Sequence, residues 1–113
     1  MSVALFIDKG KDCSDPDNET VEVIPVSFET VWHAVWMKAI RECNISLFTY
    51  FRYFSVAQMP EVLEELDRIY DWVQVNGGDD TSYVSWRIHD ELKPFLIQLY
   101  QDHKDEDYWF CLV

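Results

Sequence analysis

Four aspartates, Asp8, Asp12, Asp15 and Asp17, fall close together early in the chain and could offer oxygen ligands to a hard cation. Their spacing loosely follows a calcium loop, but the glycine of the sharp turn and the bidentate glutamate at the twelfth position are out of register. A solvated acidic loop is the plainer reading. His33, His89 and His103 stand singly, with no HxxxH or HxH companion, so none reads as a zinc ligand. Cys13 has Asp12 and Asp15 close by, a setting hostile to a nucleophilic thiolate. The chain has three glycines, two of them at Gly77-Gly78, and neither a GxSxG turn nor a glycine-rich phosphate loop. Paired carboxylates such as Glu64 with Glu65 read as solvated charge on an acidic helix, not as an acid and base acting together. The residues that could do chemistry thus point away from an enzyme and call for neither a metal nor a cofactor.

The aromatic run around Tyr50 and Tyr53 could stack nucleic-acid bases, but single-strand binders join such platforms to a basic groove. Only Arg52 supplies positive charge nearby, and aromatic core is the stronger explanation. The overall balance agrees. Twenty-one acids against nine Lys and Arg leave a formal charge of −12. Such a field repels phosphate and anionic membranes and favours a basic protein partner. Hydrophobic residues make up 49% and aromatics 16%, which separates the chain from acidic disordered tails.

The elements that must carry these residues fit one domain, residues 1–113. No apolar run is long enough to span a membrane. The opening MSVALFIDKGKD lacks a basic leader segment and reads as a first strand, Val3 to Asp8, with cytoplasmic residence as the expectation. Three cysteines without a CxxC pair argue against a disulfide framework, so Cys43 and Cys111 are expected to pack as small hydrophobes. A polar loop, Lys9 to Thr20, leads to a second strand, Val21 to Val26, with Pro25 marking a sheet edge. Ser27 is placed as the cap of a helix whose apolar stripe is Phe28, Val31, Trp32, Val35, Trp36, Ala39, Ile40 and Cys43, with Asn44 as its stop. Ile45 to Phe54, rich in aromatics, is expected to form a buried central strand or one covered on both faces, with a helical turn as the alternative.

Pro60 opens the next helix, which runs to about Val75 and ends at Gly77-Gly78. Its apolar stripe is Val62, Leu63, Leu66, Ile69, Tyr70 and Val73, and Glu61, Glu64, Glu65, Asp67 and Asp71 are assigned to the outside. Ser82 to Ile88 fits both a strand (Val84, Trp86, Ile88) and a helical stripe (Val84, Ile88, Leu92, Leu96, Leu99). The strand is preferred, with a helix from about Asp90 to His103, because Pro94 suits a first turn. Tyr108 to Val113 closes the chain as an apolar strand. The expected fold is α+β, about three helices packed on a small, mostly antiparallel sheet.

From Glu61 to Asp107 the chain carries thirteen acids and four bases, a concentration suited to electrostatic recognition. The candidate partner-binding residues are Glu61, Glu64, Asp67, Tyr70, Asp71, Trp72, Asp79, Asp80 and Tyr83. Trp72 is singled out because it lies off the apolar stripe and an exposed tryptophan requires a reason. In size, charge and composition the chain resembles the immunity proteins of bacterial toxin systems, including those of contact-dependent growth inhibition. No signature motif carries family residues over. The resemblance implies an inhibitor that neutralises one basic toxin, such as a nuclease, by covering its active site. The alternative is a nucleic-acid mimic that blocks a DNA-binding enzyme, of the anti-restriction or anti-CRISPR kind. Aromatic edge strands leave room for a homodimer as well.

Overall fold

The first strand, β1 (Ser2–Lys9), alternates as its sequence demands: Val3, Leu5 and Ile7 are buried while Phe6 stands on the opposite face. It pairs antiparallel with β2 (Glu19–Phe28) on one side and with the terminal strand, β4 (Tyr108–Leu112), on the other. A three-residue strand, β3 (Tyr53–Ser55), adds antiparallel to β4, giving the order β2-β1-β4-β3. The computed structural model describes residues 2–113. Pro25 lies on β2 at the sheet edge, facing Ala4 beside a register shift, so its missing N–H costs no ladder bond.

Three helical rods complete the fold: α1 (29–42), α2 (Met59–Asn76) and α3 (81–103). They bury one face of the sheet around Trp32, Trp36, Leu66, Ile69, Ile88, Phe110 and their neighbours. The architecture is α+β, three helices on a four-stranded antiparallel sheet. The end of α1 was legible. Asn44 takes a left-handed backbone, φ 54°, while Ile45 N–H bonds to Ile40 O at 2.9 Å and Asn44 N–H to Arg41 O at 3.3 Å, a Schellman closure.

Four expectations are corrected. Ser27 does not cap α1; Phe28 occupies that position, and the buried Ser27 hydroxyl donates to Phe28 O at 2.9 Å. Residues 45–54 are not a central strand. Tyr50 makes a single bridge to Leu112, Phe51 then turns the chain with φ 55°, and only Tyr53–Ser55 forms a strand, at the sheet edge. Ser82 to Ile88 is helical, not a strand. Its i, i+4 series, Val84, Ile88, Leu92 and Leu96, is wholly buried in one continuous rod. Pro94 is tolerated there because the preceding turn is a wider π-turn, with Lys93 N–H reaching Ile88 O five residues back. The fourth correction is Glu65. It is 4% exposed and faces inward from α2, not outward.

Candidate functional site

Helix α2 presents three different surfaces to its surroundings, and they divide its acids. Its inner face is core, apart from Glu65. The Glu65 carboxylate accepts from three successive backbone N–H groups, Ser46 at 2.9 Å, Leu47 at 3.1 Å and Phe48 at 2.9 Å, and from the Ser46 hydroxyl at 3.2 Å. It therefore organises the 46–48 loop and is unavailable to a partner. One flank of α2 lies against α3, which runs antiparallel to it. Gln74 Nε2 donates to Ser85 Oγ at 2.7 Å, the Tyr70 and His89 rings lie 6.0 Å apart, and Asp67 pairs with Lys93 Nζ. On the other flank Arg68 Nη1 donates to Cys43 O at 2.6 Å. Trp72 is one turn beyond Arg68 and shares that flank. It is half-buried against the core, so the expected exposed tryptophan is not found.

The outermost ridge carries Glu61, Glu64 and Asp71, all exposed, followed by exposed Asp79 and half-buried Asp80 in the turn between the helices. Asp90 and Glu91 continue the exposed charge on α3. Of the nine anticipated residues, Glu61, Glu64, Asp71 and Asp79 thus share an open acidic ridge. Asp67 is neutralised by Lys93, and Tyr70 and Trp72 serve mainly to pack the helix. Tyr83 belongs elsewhere.

Tyr83 lies on the far flank of α3, where its ring stacks on Phe28 with centroids 5.7 Å apart and an interplanar angle of 23°. Trp86, one turn on, lies 6.4 Å from Tyr83, and the Arg87 guanidinium carbon sits 4.7 Å from the Trp86 ring centroid and 5.8 Å from that of Tyr83. Phe28 is 62% exposed and Trp86 42%. Here, then, is the exposed tryptophan, fourteen positions from the one expected. The helical stripe through Val84, Ile88 and Leu92 already put Trp86 off the buried face; the preferred strand reading hid that by aligning Trp86 with Val84 and Ile88. Phe28, at the junction of β2 and α1, was assigned to the apolar stripe, and no sequence signal pointed to its pairing with Tyr83.

Of the early aspartates, Asp12 and Asp15 serve local turns, while Asp8 accepts from the Thr20 hydroxyl across the β1–β2 pair at 2.7 Å. Asp12 Oδ1 accepts from Ser14 N–H at 3.0 Å and from the Ser14 hydroxyl at 2.8 Å, bonds that hold its carboxyl below the usual range. Asp15 accepts from Asp17 N–H at 2.9 Å. Among the described residues no three His, Cys, Asp or Glu side chains are grouped to hold a metal. Burial pushes the Cys43 and Cys111 thiols up, so both favour the neutral form. Among the described residues no helix is long and apolar enough to cross a membrane. Comparison with protein-family models, curated proteins and solved structures found no match in any of the three.

Proposed function

We propose that this chain is a non-enzymatic inhibitor that binds one basic protein, in the manner of toxin-neutralising immunity proteins. The uneven distribution of its charge carries this reading. Residues 28–58 hold two acids and three bases, whereas residues 59–113 hold thirteen acids and four bases. Those thirteen include the open ridge of α2 and its continuation on α3. Solubility alone is served as well by charge spread over the whole surface. Placing ten of the twenty-one acids on α2, α3 and the turn between them, against six in residues 1–27, incurs self-repulsion and yields a directional field, which raises encounter rates with a positive partner. The resident catalytic site of a basic nuclease would be such a partner, with ridge carboxylates taking the places of substrate phosphates.

Co-expression with the protein encoded next to it, followed by co-purification at low and high salt, tests this reading. A stoichiometric complex with a basic protein, weakened by salt, is the expected result; its absence would refute the proposal. Within the complex, Glu64→Lys combined with Asp71→Lys is expected to slow association by about tenfold at low ionic strength while changing dissociation much less. An unaltered association rate would remove the ridge from the interface.

A further inference from the structure

We propose that Phe28, Tyr83, Trp86 and Arg87 form a specificity pocket for a protein carboxylate flanked by apolar side chains. This rests on the recognition role above in one respect: the carboxylate is taken to belong to the bound protein. In a chain with twenty-one acids, Arg87 forms no ion pair and no side-chain hydrogen bond among the described residues, and its Nε is buried without a partner. The Nη groups, also without a partner but not buried, are the donors that an incoming acceptor can reach. Arginine is also the side chain best suited to a carboxylate, through its planar fork of donors.

The surroundings decide what delivers that acceptor. Trp86 and Tyr83 hold the guanidinium against their rings, and Phe28 extends the aromatic surface outward. Two anchors fix the geometry: the buried Ser27 bonded to Phe28 O, and the packing of Val84 and Ile88 in the core. Rigid aromatics with an arginine at their centre are the usual make-up of interface hot spots. A nucleic-acid strand would bring a run of phosphates toward the nearby acids and be repelled. A single carboxylate on an otherwise basic protein would not. The pocket thus adds one inverted charge to an acidic surface and sets the register in which the partner docks.

The test uses two capped peptides, acetyl-Leu-Glu-Leu-amide and acetyl-Leu-Gln-Leu-amide, titrated into the isotope-labelled full chain, with inorganic phosphate as a third probe. The readout is the Trp86 indole N–H resonance, assigned from its loss in Trp86→Phe. The glutamate peptide is expected to shift it saturably, the glutamine peptide to bind about threefold to tenfold more weakly, and phosphate to leave it unmoved. Arg87→Met should abolish the shift while the remaining spectrum reports an intact fold. Equal binding of the two peptides, no shift with either, or a shift by phosphate equal to that of the glutamate peptide would overturn the proposal. If the peptide fails while the basic partner still co-purifies, the recognition role stands and the ridge alone carries it. If the peptide binds but no basic partner is found, the pocket stands and the inhibitor reading falls.

Discussion

Removing the Glu65 carboxylate should cost far more than removing the carboxylate next to it in sequence. In Glu65→Ala the N–H groups of Ser46, Leu47 and Phe48 lose their acceptor together, and Leu47 and Phe48 are themselves buried. An unsatisfied buried donor costs about 1–3 kcal/mol, and the partly exposed Ser46 N–H can turn to water. The two fully buried groups together set the loss at about 3–5 kcal/mol, within the range for breaking a buried charged cluster. For a domain of this size that lowers the melting temperature by about 10–20 °C. Glu64→Ala, on the open ridge, should stay within about 0.5 kcal/mol of the parent. Urea unfolding of the two variants followed by tryptophan fluorescence makes the comparison, with equal slopes confirming that both unfold from the same compact state. A loss below about 1 kcal/mol for Glu65→Ala would refute the account, since the loop would then be holding itself. Glu65→Gln should fall between, because its amide keeps one acceptor oxygen and points a donor at donors.

Phe51 holds a left-handed backbone, φ 55°, with its side chain 74% exposed, so Phe51→Asn should raise stability by about 0.5–1 kcal/mol; a loss in thermal melting would mean that its stack on Tyr50 outweighs the strain. Gly77 ends α2 where an added Cβ would lie 2.7 Å from Val73 O and 2.5 Å from Thr81 Oγ1. Gly77→Ala should therefore destabilise by about 1–3 kcal/mol, and a neutral effect in urea would show that the helix end shifts freely. Burial raises the thiols of Cys43 and Cys111 above 9.0 and the phenols of Tyr50 and Tyr53 above 10.0. The unfolded chain then gives up protons that the folded chain still holds, so this stability is complete below about pH 9 and is lost as pH rises through the folded values. A urea midpoint that did not fall between pH 9 and 11 would contradict those directions.

The periodic elements could be read from the chain because their patterns are local. Alternation in β1 and the Schellman stop of α1 at Asn44 each depend on a few adjacent residues. Where tertiary contacts decide, local propensity misleads. Residues 45–54 have the aromatic content of a strand, yet Glu65, some eighteen positions away, draws the backbone of 46–48 into a loop and Phe51 turns it after a single bridge from Tyr50 to Leu112. Residues 82–88 satisfy both periods, and the balance tips to helix only when Leu92 and Leu96 are buried with Val84 and Ile88 in the same core. Trp86 looked buried only because the strand period aligned it with Val84 and Ile88, whereas Trp72, off the stripe of α2, is half-buried by packing against the core.

The acids of α2 show why residue type alone does not locate a recognition surface. Glu64, Glu65 and Asp67 share one turn of helix and one charge sign, yet one is open, one is buried in a hydrogen-bonded loop and one is tied to Lys93. At 100° per residue Glu65 points well away from Glu64, while Asp67 lies only about 60° from Glu64, on the side where Lys93 of α3 reaches it. The ridge that remains after this sorting is smaller than the acid count suggests, and the exposed apolar side chain beside it on α2 is only a valine, Val75. Long-range charge accelerates encounter but gives little grip once two surfaces meet in water. Grip requires aromatics that a partner can desolvate, and Phe28, Tyr83 and Trp86 supply a cluster of them on the other flank of α3. On the proposed recognition role, a partner that uses both surfaces reaches across α3, from the ridge to that cluster, and Arg87 lies where it would present a carboxylate.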